Sequence, residues 1–324
     1  MYSIRTDLAI EAREIYKAEQ KDEVPGVFVE KEDVSGVLVT RVKITTDEGA
    51  KALDKAIGTY ITLEIPDISV NNAELFEAAA RAVSDEINKL AGKKDDRVTL
   101  VAGLGNREIT PDSLGPRVVS SLVVTRHLFH NMPESIPDTM SSVCAMAPSV
   151  LGLTGIETGE IVKGVSARIN PDLIIAVDAL MSRAVSRVCT TIQITDTGIS
   201  PGSGVGNRRK ALDKSTLGVP VIAIGVPMVV DAATIANDSI DRVIDVLVES
   251  TEQGGEFYRL LKSVDREEKY RLIKETISSP EESLIVTPKE IDKVAERMAK
   301  IVANGINYCL HENITAEEID VFVN

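Results

Sequence analysis

The sequence has little of the material from which disulfide frameworks, metal sites and histidine-dependent active sites are built. Its 324 residues include three cysteines and three histidines, and no Cys-x-x-Cys pair occurs. Cys144, Cys189 and Cys309 lie far apart, so their spacing predicts neither a disulfide framework nor a zinc site. We therefore expect no cofactor and no bound metal, and we expect any acid–base chemistry to depend on carboxylates.

Aromatic residues and positive charge are also scarce. Six tyrosines, five phenylalanines and no tryptophan leave little material for a base-stacking platform. Lys and Arg number 36 against 50 Asp and Glu, which gives a formal net charge of −14. A surface of this sign disfavours nucleic acid and anionic membranes, because both attract clusters of Lys and Arg. Neither is an expected partner.

No long apolar run of the kind found in targeting or spanning segments is visible. The first twenty residues carry a charge every few positions and lack an apolar core. The longest uncharged stretches contain Pro, Gly, Ser or Thr and do not resemble membrane spans. These features predict a cytoplasmic location.

What the sequence does contain is an alternation of apolar strand-like runs and amphipathic helices. Residues 97–103 and 173–180 are buried-strand patterns, and Leu75, Ala79, Val83, Ile87 and Leu90 form one helical stripe. This alternation predicts an α/β fold with a mostly parallel sheet flanked by helices. Residues 251–283 are polar and charge-mixed, and we interpret them as a peripheral helical insertion in a single domain.

The segment GLGNREITPDSLGP (103–116) joins a buried strand to a predicted helix over about 113–128. Gly103 and Gly105 permit a tight turn, and Asp112 lies where the helix is expected to begin. Asp112 can therefore be a helix N-cap, which would contribute about 1 kcal/mol. A Rossmann phosphate loop is a poorer match, since Glu108 stands where the third glycine belongs. In a parallel sheet, however, this turn lies at the edge where ligands bind.

The segment NPDLIIAVDAL (170–180) places Asp178 after an apolar run, at the predicted end of a buried strand. A carboxylate there is costly unless it is hydrogen-bonded or functional. Asp112 and Asp178 are thus expected at one edge of the sheet. Two close carboxyl groups share a proton and titrate as a pair, so one can act as base and the other as acid. Such a pair can activate water against an amide.

A third segment, ITDTGISPGSGVGNRRKAL (194–212), offers a reserve catalytic carboxylate, Asp196. Its Asp-Thr-Gly tripeptide matches that of pepsin-like proteases, which are all-β proteins. The glycines that follow can cradle a phosphate or an oxyanion, or can form a flexible loop beside a substrate cleft; they are Gly202, Gly204 and Gly206.

Several long motifs occur in an order that resembles the germination protease family of spore-forming Firmicutes. They are RTDLAIEA, GLGN and TPDSLGP, SSVCAMAPSVLGLTGIETGEIVKG, NPDLIIAVDAL, and DTGISPGSGVGNRRKAL. The resemblance runs from the N-terminus to at least Thr234. It implies an atypical aspartic endopeptidase with a fold similar to hydrogenase maturation proteases, and it assigns the two essential aspartates to Asp112 and Asp178.

The resemblance also implies how such a protein is made and what it acts on. Members are homotetrameric zymogens that remove a short propeptide from themselves, and they begin the degradation of small acid-soluble spore proteins during germination. The expected location is then the forespore and spore core. The motif of an acidic residue, an apolar residue and Ala falls on Asp7, Leu8 and Ala9. It implies cleavage between Asp7 and Leu8, a propeptide of residues 1–7 and a single peptidase domain over 8–324.

For the mechanism, we expect backbone N–H groups of one glycine loop to stabilise the oxyanion. The loops concerned comprise Gly103, Gly105 and Asn106 in the first, and Gly202, Gly204 and Gly206 in the second. A basic sub-site for acidic substrate residues would use Arg107, Arg208 and Arg209, which can equally be solvated surface charges. Two alternatives stay open, a non-catalytic anion-binding α/β module and a metal-dependent protease of the maturation type.

Overall fold

The structure, a computed structural model, describes most of the chain. The described residues are 6–20, 23–66, 68, 72–92, 94, 97–132, 134, 136–200, 211–251, 255–277 and 284–323. The second glycine loop, with Gly202, Gly204, Gly206, Arg208 and Arg209, lies outside them, as do residues 1–5 of the predicted propeptide.

Helices and strands alternate along most of the described chain. The strands are β1 Val27–Val34, β2 Val37–Ile44, β3 Gly58–Glu64, β4 Val98–Gly103, β5 Ser142–Met146, β6 Leu173–Ser182, β7 Thr191–Thr195, β8 Val221–Asp231 and β9 Ile285–Val286. The helices are α1 Ala9–Gln20, α2 Asp47–Leu53, α3 Ala73–Ala91, α4 Leu114–Val119, α5 Arg126–Asn131, α6 Leu151–Thr154, α7 Thr158–Ile169, α8 Lys214–Leu217, α9 Ala232–Ser250, α10 Glu256–Lys262, α11 Arg266–Ile277, α12 Ile291–Leu310 and α13 Ala316–Val323.

The strands form one mixed sheet in the order β1-β2-β3-β7-β8-β6-β4-β5, and β9 pairs with β8. The central strands β8, β6, β4 and β5 run parallel to one another. Strands β1, β2, β3 and β7 are added to them by antiparallel pairing. The α/β class that the sequence predicts, with a mostly parallel core flanked by helices, is confirmed.

Alternate residues of the central strands supply two hydrophobic layers, one on each face of the sheet. On one face, Ile175 and Val177 of β6 pack in the main core that includes α3 and α12. On the other face, Ile174 and Ala176 pack with Val162 of α7. Because successive side chains of a strand alternate, Asp178 belongs to the second face, together with Ala176 and Leu180.

The helix α3 shows why the apolar stripe in the sequence forms this structure. Asn72 begins the helix by accepting a hydrogen bond from the backbone N–H of Leu75 through its side chain, at 3.1 Å. Val83 and Ile87 of the stripe are completely buried. Helix α12 packs closely on this stripe at Gly305, where a Cβ atom would lie 2.5 Å from Val83 Cγ1.

The helix predicted over about 113–128 is wrong in its extent. The structure has two short helices there, α4 and α5, with an irregular link between them. In that link the backbone N–H of Val123 donates to Asn307 Oδ1 of α12, at 3.0 Å. This contact with a distant residue replaces a helical hydrogen bond, and the local pattern of residues contains no sign of it.

The peripheral helical insertion is present as α10 and α11, both of which pack against α9. Several of their large apolar side chains are exposed, including Phe257, Leu260 and Leu272. In the described residues, no helix is both long enough and apolar enough to cross a membrane.

A buried ion pair joins α3 to strand β2 of the sheet and predicts a pH dependence of stability. Arg41 Nε lies 3.0 Å from Glu86 Oε2, and Lys89 Nζ lies 2.7 Å from Glu86 Oε1. Burial raises the pKa of Glu86, but the hydrogen bonds from Arg41 and Lys89 outweigh it and hold the pKa below the ordinary 4.5. The pair therefore contributes fully above about pH 4.5 and is lost as the pH falls through the lower, folded-state pKa.

We expect Glu86→Gln to lower the free energy of unfolding by about 2 kcal/mol at pH 7, since it removes charged hydrogen bonds from a buried site. Urea unfolding at pH 7, 5, 4 and 3 measures this difference, which should shrink below pH 4.5. Glu268→Gln is a matched control, because it breaks an exposed ion pair with Arg271 and should change stability by less than about 0.5 kcal/mol. An equal loss at every pH would contradict the expected role of ionisation.

Candidate active site

The sequence predicted Asp178 at the end of a strand, but the structure places it within β6. The strand continues to Ser182 because β8 continues beside it, with a register shift between Leu180 and Met181. The neighbour on the other side, β4, ends at Gly103, which pairs with Val177. Asp178 is thus the first residue of β6 beyond the end of β4, and it is only 7% exposed.

Asp178 lies beside a glycine that makes room for the Leu180 side chain on the second face of the sheet. Its partner across the β6–β8 ladder is Gly225, where a Cβ atom would lie 2.4 Å from Leu180 Cδ1. Only glycine therefore allows the Leu180 side chain to lie over β8. The Asp178 carboxylate accepts a hydrogen bond from the backbone N–H of Ala179 at 2.9 Å.

Asp112 is held by the first glycine loop. It lies in a 3₁₀ turn, Thr110–Asp112, and its Oδ2 accepts a hydrogen bond from the backbone N–H of Asn106 at 2.8 Å. Helix α4 begins after Ser113 without a side-chain cap, so the expectation that Asp112 caps the helix is wrong. The carboxylate instead bonds backwards into the loop that precedes it.

The loop and the turn bring Asp112 to the strand that carries Asp178. The backbone N–H of Leu104 donates to the carbonyl of Val177 at 2.7 Å, so the loop leaves β4 directly beside β6. The 3₁₀ turn contacts both β6 and β8. The two aspartates are therefore carried by elements that contact each other.

Two glycines make this packing possible. At Gly103, a Cβ atom would lie 2.2 Å from the carbonyl oxygen of Gly115, so β4 and α4 could not approach as they do. Gly105 has φ +107, and a Cβ atom there would lie 2.1 Å from the carbonyl oxygen of Asp112. Arg107, the described member of the predicted basic sub-site, is exposed in the same loop.

Asp196 is placed elsewhere. It follows β7, which is antiparallel to β8. The chain at Asp196 therefore leaves the sheet at the end opposite to the carboxyl ends of the parallel strands. Its Oδ1 accepts a hydrogen bond from the backbone N–H of Thr59 at 2.8 Å, and its side chain is exposed. The structure does not bring this reserve candidate together with Asp112 and Asp178.

The predicted cleavage site lies on the same face of the sheet as Asp178. The backbone N–H of Asp7 donates to the carbonyl of Met181 at 3.1 Å, and the N–H of Met181 donates to Asp7 Oδ2 at 2.8 Å. Leu8 is completely buried in a cluster with Ile10 and Leu180. The segment that contains the Asp7–Leu8 bond is therefore docked three residues along β6 from Asp178.

Two residues that contact this segment were not singled out from the sequence. Lys55 Nζ donates to the carbonyl of Asp7 at 3.2 Å, and Gln193 Nε2 donates to the same oxygen at 3.1 Å. A signal for Gln193 exists, since it is the polar residue between Ile192 and Ile194 in a strand of buried positions. Lys55 follows a short surface helix, and nothing in the local sequence distinguishes it.

The helix that follows the predicted cleavage site is anchored through a buried carboxylate, Glu11. It accepts hydrogen bonds from the backbone N–H groups of Arg183 and Ala184, at 2.7 and 2.9 Å. Arg187 adds a bidentate ion pair with Glu14, at 2.7 and 2.8 Å. Helix α1 is thus bound to the loop between β6 and β7, next to the same face of the sheet.

The described residues contain no group of three or more His, Cys, Asp or Glu side chains that could hold a metal ion. The buried histidine, His311, has its pKa lowered by burial and bonds the carbonyl of Val123 through Nε2, at 3.0 Å. It lies beside Val123, in the link between α4 and α5. It therefore belongs to the packing of α12 and not to this site.

Comparison with known proteins gives one consistent result. A family model described as germination protease matches residues 7–261 and 249–323. Similar curated proteins, each named germination protease, come from Clostridium perfringens (49% identical, 100% of both chains) and Caldanaerobacter subterraneus subsp. tengcongensis (50%, 98% of this chain and 97% of the relative). A third comes from Priestia megaterium (42%, 99% and 97%).

Among solved structures, the chain is similar to a NiFe hydrogenase maturation protease, HycI, from Thermococcus kodakarensis KOD1. The match has a TM-score of 0.33 and 17% identity, and it covers 68% of this chain and 98% of that one.

Proposed function

Since the chain belongs to the germination protease family, we propose that it is an endopeptidase that activates water with the carboxyl groups of Asp112 and Asp178. The observation that carries the proposal is the docking of the Asp7–Leu8 segment on the face of the sheet that holds Asp178. A peptide bond and a buried carboxylate thus share one surface, and the loop of Asp112 packs against the same strands.

In the proposed reaction, the ionised member of the pair takes a proton from water, and the water oxygen bonds to the carbonyl carbon of Asp7. The tetrahedral intermediate then collapses as the C–N bond to Leu8 breaks. The protonated member gives its proton to the departing nitrogen. The products are a new carboxyl group on Asp7 and a new amino group on Leu8, and the pair again holds one proton.

We further propose that the full-length chain is a zymogen and that residues 1–7 are its propeptide. Asp7 binds β6 through its carboxylate, and protonation of that group weakens this contact, so mildly acidic conditions should favour release. After release, the substrates would be small acid-soluble spore proteins in the forespore and spore core, and the active form would be a homotetramer that needs no cofactor. The names of the relatives favour a protease over a non-catalytic anion-binding module.

The test is the intact mass and N-terminal sequence of the full-length protein after incubation at mildly acidic pH. Loss of residues 1–7 with a new N-terminus at Leu8 is expected, and a chelator should leave the rate unchanged. Inhibition by chelator with recovery on adding zinc or nickel would instead support the metal-dependent alternative. If neither the chain nor an added acid-soluble spore protein is cut, the proposal fails, and a ligand-dependent shift in melting temperature would then favour the binding module.

A further inference from the structure

The carbonyl oxygen of Asp7 lies between two side-chain hydrogen-bond donors. Lys55 Nζ is 3.2 Å from it and Gln193 Nε2 is 3.1 Å from it. This carbonyl belongs to the peptide bond that the proposed function cleaves. Two donors directed at a carbonyl oxygen are the arrangement that stabilises the negative charge of a tetrahedral intermediate in amide hydrolysis.

Lys55 is fixed in place by its own backbone and by the segment that it binds. Its N–H donates to the carbonyl of Ala50 at 3.1 Å, and its Nζ also lies 3.1 Å from the carbonyl oxygen of Thr6. Burial lowers the pKa of the Lys55 ammonium. Three carboxylates oppose this lowering of the pKa, those of Asp7, Asp54 and Glu11. A partly desolvated cation interacts more strongly with a developing negative charge than an exposed one does.

Gln193 holds the peptide on both sides of Leu8. While its Nε2 donates to the carbonyl of Asp7, its Oε1 accepts a hydrogen bond from the backbone N–H of Ala9 at 2.8 Å. The side chain is 6% exposed. One buried amide therefore fixes the register of the bond between Asp7 and Leu8, and such positioning of a reacting group is a large part of catalysis.

The sheet places Gln193 level with Asp178. Gln193 pairs with Gly225 across the β7–β8 ladder, and Gly225 pairs with Asp178 across the β8–β6 ladder. Paired residues on neighbouring strands point to the same face. Strands about 4.8 Å apart put the Cα atoms of Gln193 and Asp178 roughly 10 Å from each other, with a glycine between them. Gln193 and Asp178 thus lie on one face of the sheet, on the strands either side of β8, and the Leu180 side chain lies over Gly225 between them.

We propose that Lys55 and Gln193 are catalytic residues of the self-cleavage reaction, where they stabilise the oxyanion that forms on the Asp7 carbonyl. This inference rests on the proposed function. When water bonds to the carbonyl carbon, the electron pair of the C=O bond moves to the oxygen, and the two donors hold it there. The electron pair returns to the C=O bond as the C–N bond breaks. Once residues 1–7 have left, the same donors bind the carbonyl of the acidic residue that precedes the scissile bond of a protein substrate.

The test compares Lys55→Met with the wild type under the mildly acidic conditions described above. Removing one oxyanion donor should slow the loss of residues 1–7 by about 10²- to 10³-fold, with Lys55→Arg less affected. Lys51→Met is the matched control, because Lys51 lies four residues earlier, on α2, with its side chain exposed, and its rate should equal that of the wild type. Thermal unfolding shows whether each variant is folded. Gln193→Glu keeps an oxygen that accepts from the N–H of Ala9 but loses the N–H that donates to the carbonyl of Asp7, so its self-cleavage should also be slow.

A second readout separates stabilisation of the oxyanion from mere binding of the peptide. After prolonged incubation has removed residues 1–7, wild type and Lys55→Met are given a synthetic peptide of residues 3–12. We expect kcat to fall and KM to stay within about twofold. An unchanged kcat with a raised KM, or self-cleavage of Lys55→Met at the wild-type rate or faster, would show that Lys55 only anchors the segment. If the wild type itself is not cleaved, the proposed function fails instead.

Discussion

Asp178→Asn is expected to leave the chain folded and to slow its self-cleavage by about 10³-fold or more. The amide has the shape of the carboxylate and can still accept a hydrogen bond from the N–H of Ala179, so the fold of β6 should survive. It can neither take a proton from water nor share one with Asp112. Loss of a general acid–base group typically lowers a rate by 10²- to 10⁴-fold. A time course of intact mass, beside thermal unfolding curves, measures both expectations.

The companion variants make this prediction specific. Asp112→Asn should be as slow as Asp178→Asn, and the double variant should be little slower than either, because residues that act as a unit are not additive. Asp196→Asn keeps an oxygen to accept from Thr59 and should cleave within about twofold of the wild-type rate. Equal trimming of wild type and Asp178→Asn would point to a contaminating protease and would remove Asp178 from the mechanism.

The sequence makes Asp178 a candidate, because a carboxylate after an apolar run of strand residues has few inexpensive roles. It is not sufficient to place it. The predicted strand ended at Asp178, whereas β6 continues for four more residues beside β8. Asp112 was likewise singled out as a candidate, but the residue at the N-cap of α4 is Ser113, and the Asp112 carboxylate accepts from Asn106 in the loop before it. Whether either residue is catalytic stays a prediction.

Lys55 and Gln193 show why the rest of the candidate site was not predicted. Local patterns identify strands, but they do not say that β7 runs antiparallel to β8 or that its third residue pairs with Gly225. That register alone brings Gln193 level with Asp178. Lys55 reaches the site only because the N-terminal segment, at Thr6 and Asp7, lies against it. Both facts concern pairings between parts of the chain that are distant in sequence.

Gly105→Ala is expected to have the second largest effect, although the substitution adds one methyl group. The backbone at Gly105 has φ +107, and the new Cβ atom would lie 2.1 Å from the carbonyl oxygen of Asp112. The 3₁₀ turn must therefore move by about 1 Å to restore contact, and a displacement of that size costs about 10²-fold in rate when it moves a catalytic group. The strained backbone should also lower the free energy of unfolding by about 1–3 kcal/mol.

Gly155→Ala separates these two effects. Gly155 has φ +69, but a Cβ atom there would meet nothing within 4 Å. This control should lose about 1 kcal/mol of stability and keep the wild-type rate of self-cleavage, as followed by intact mass. A slow Gly105→Ala beside a normal Gly155→Ala would connect the rate to the position of Asp112 and not to stability. A Gly105→Ala chain that is destabilised but cleaves at the wild-type rate would show that the reaction does not depend on how closely this turn packs, and it would leave Asp178 as the carboxylate to which catalysis must be assigned.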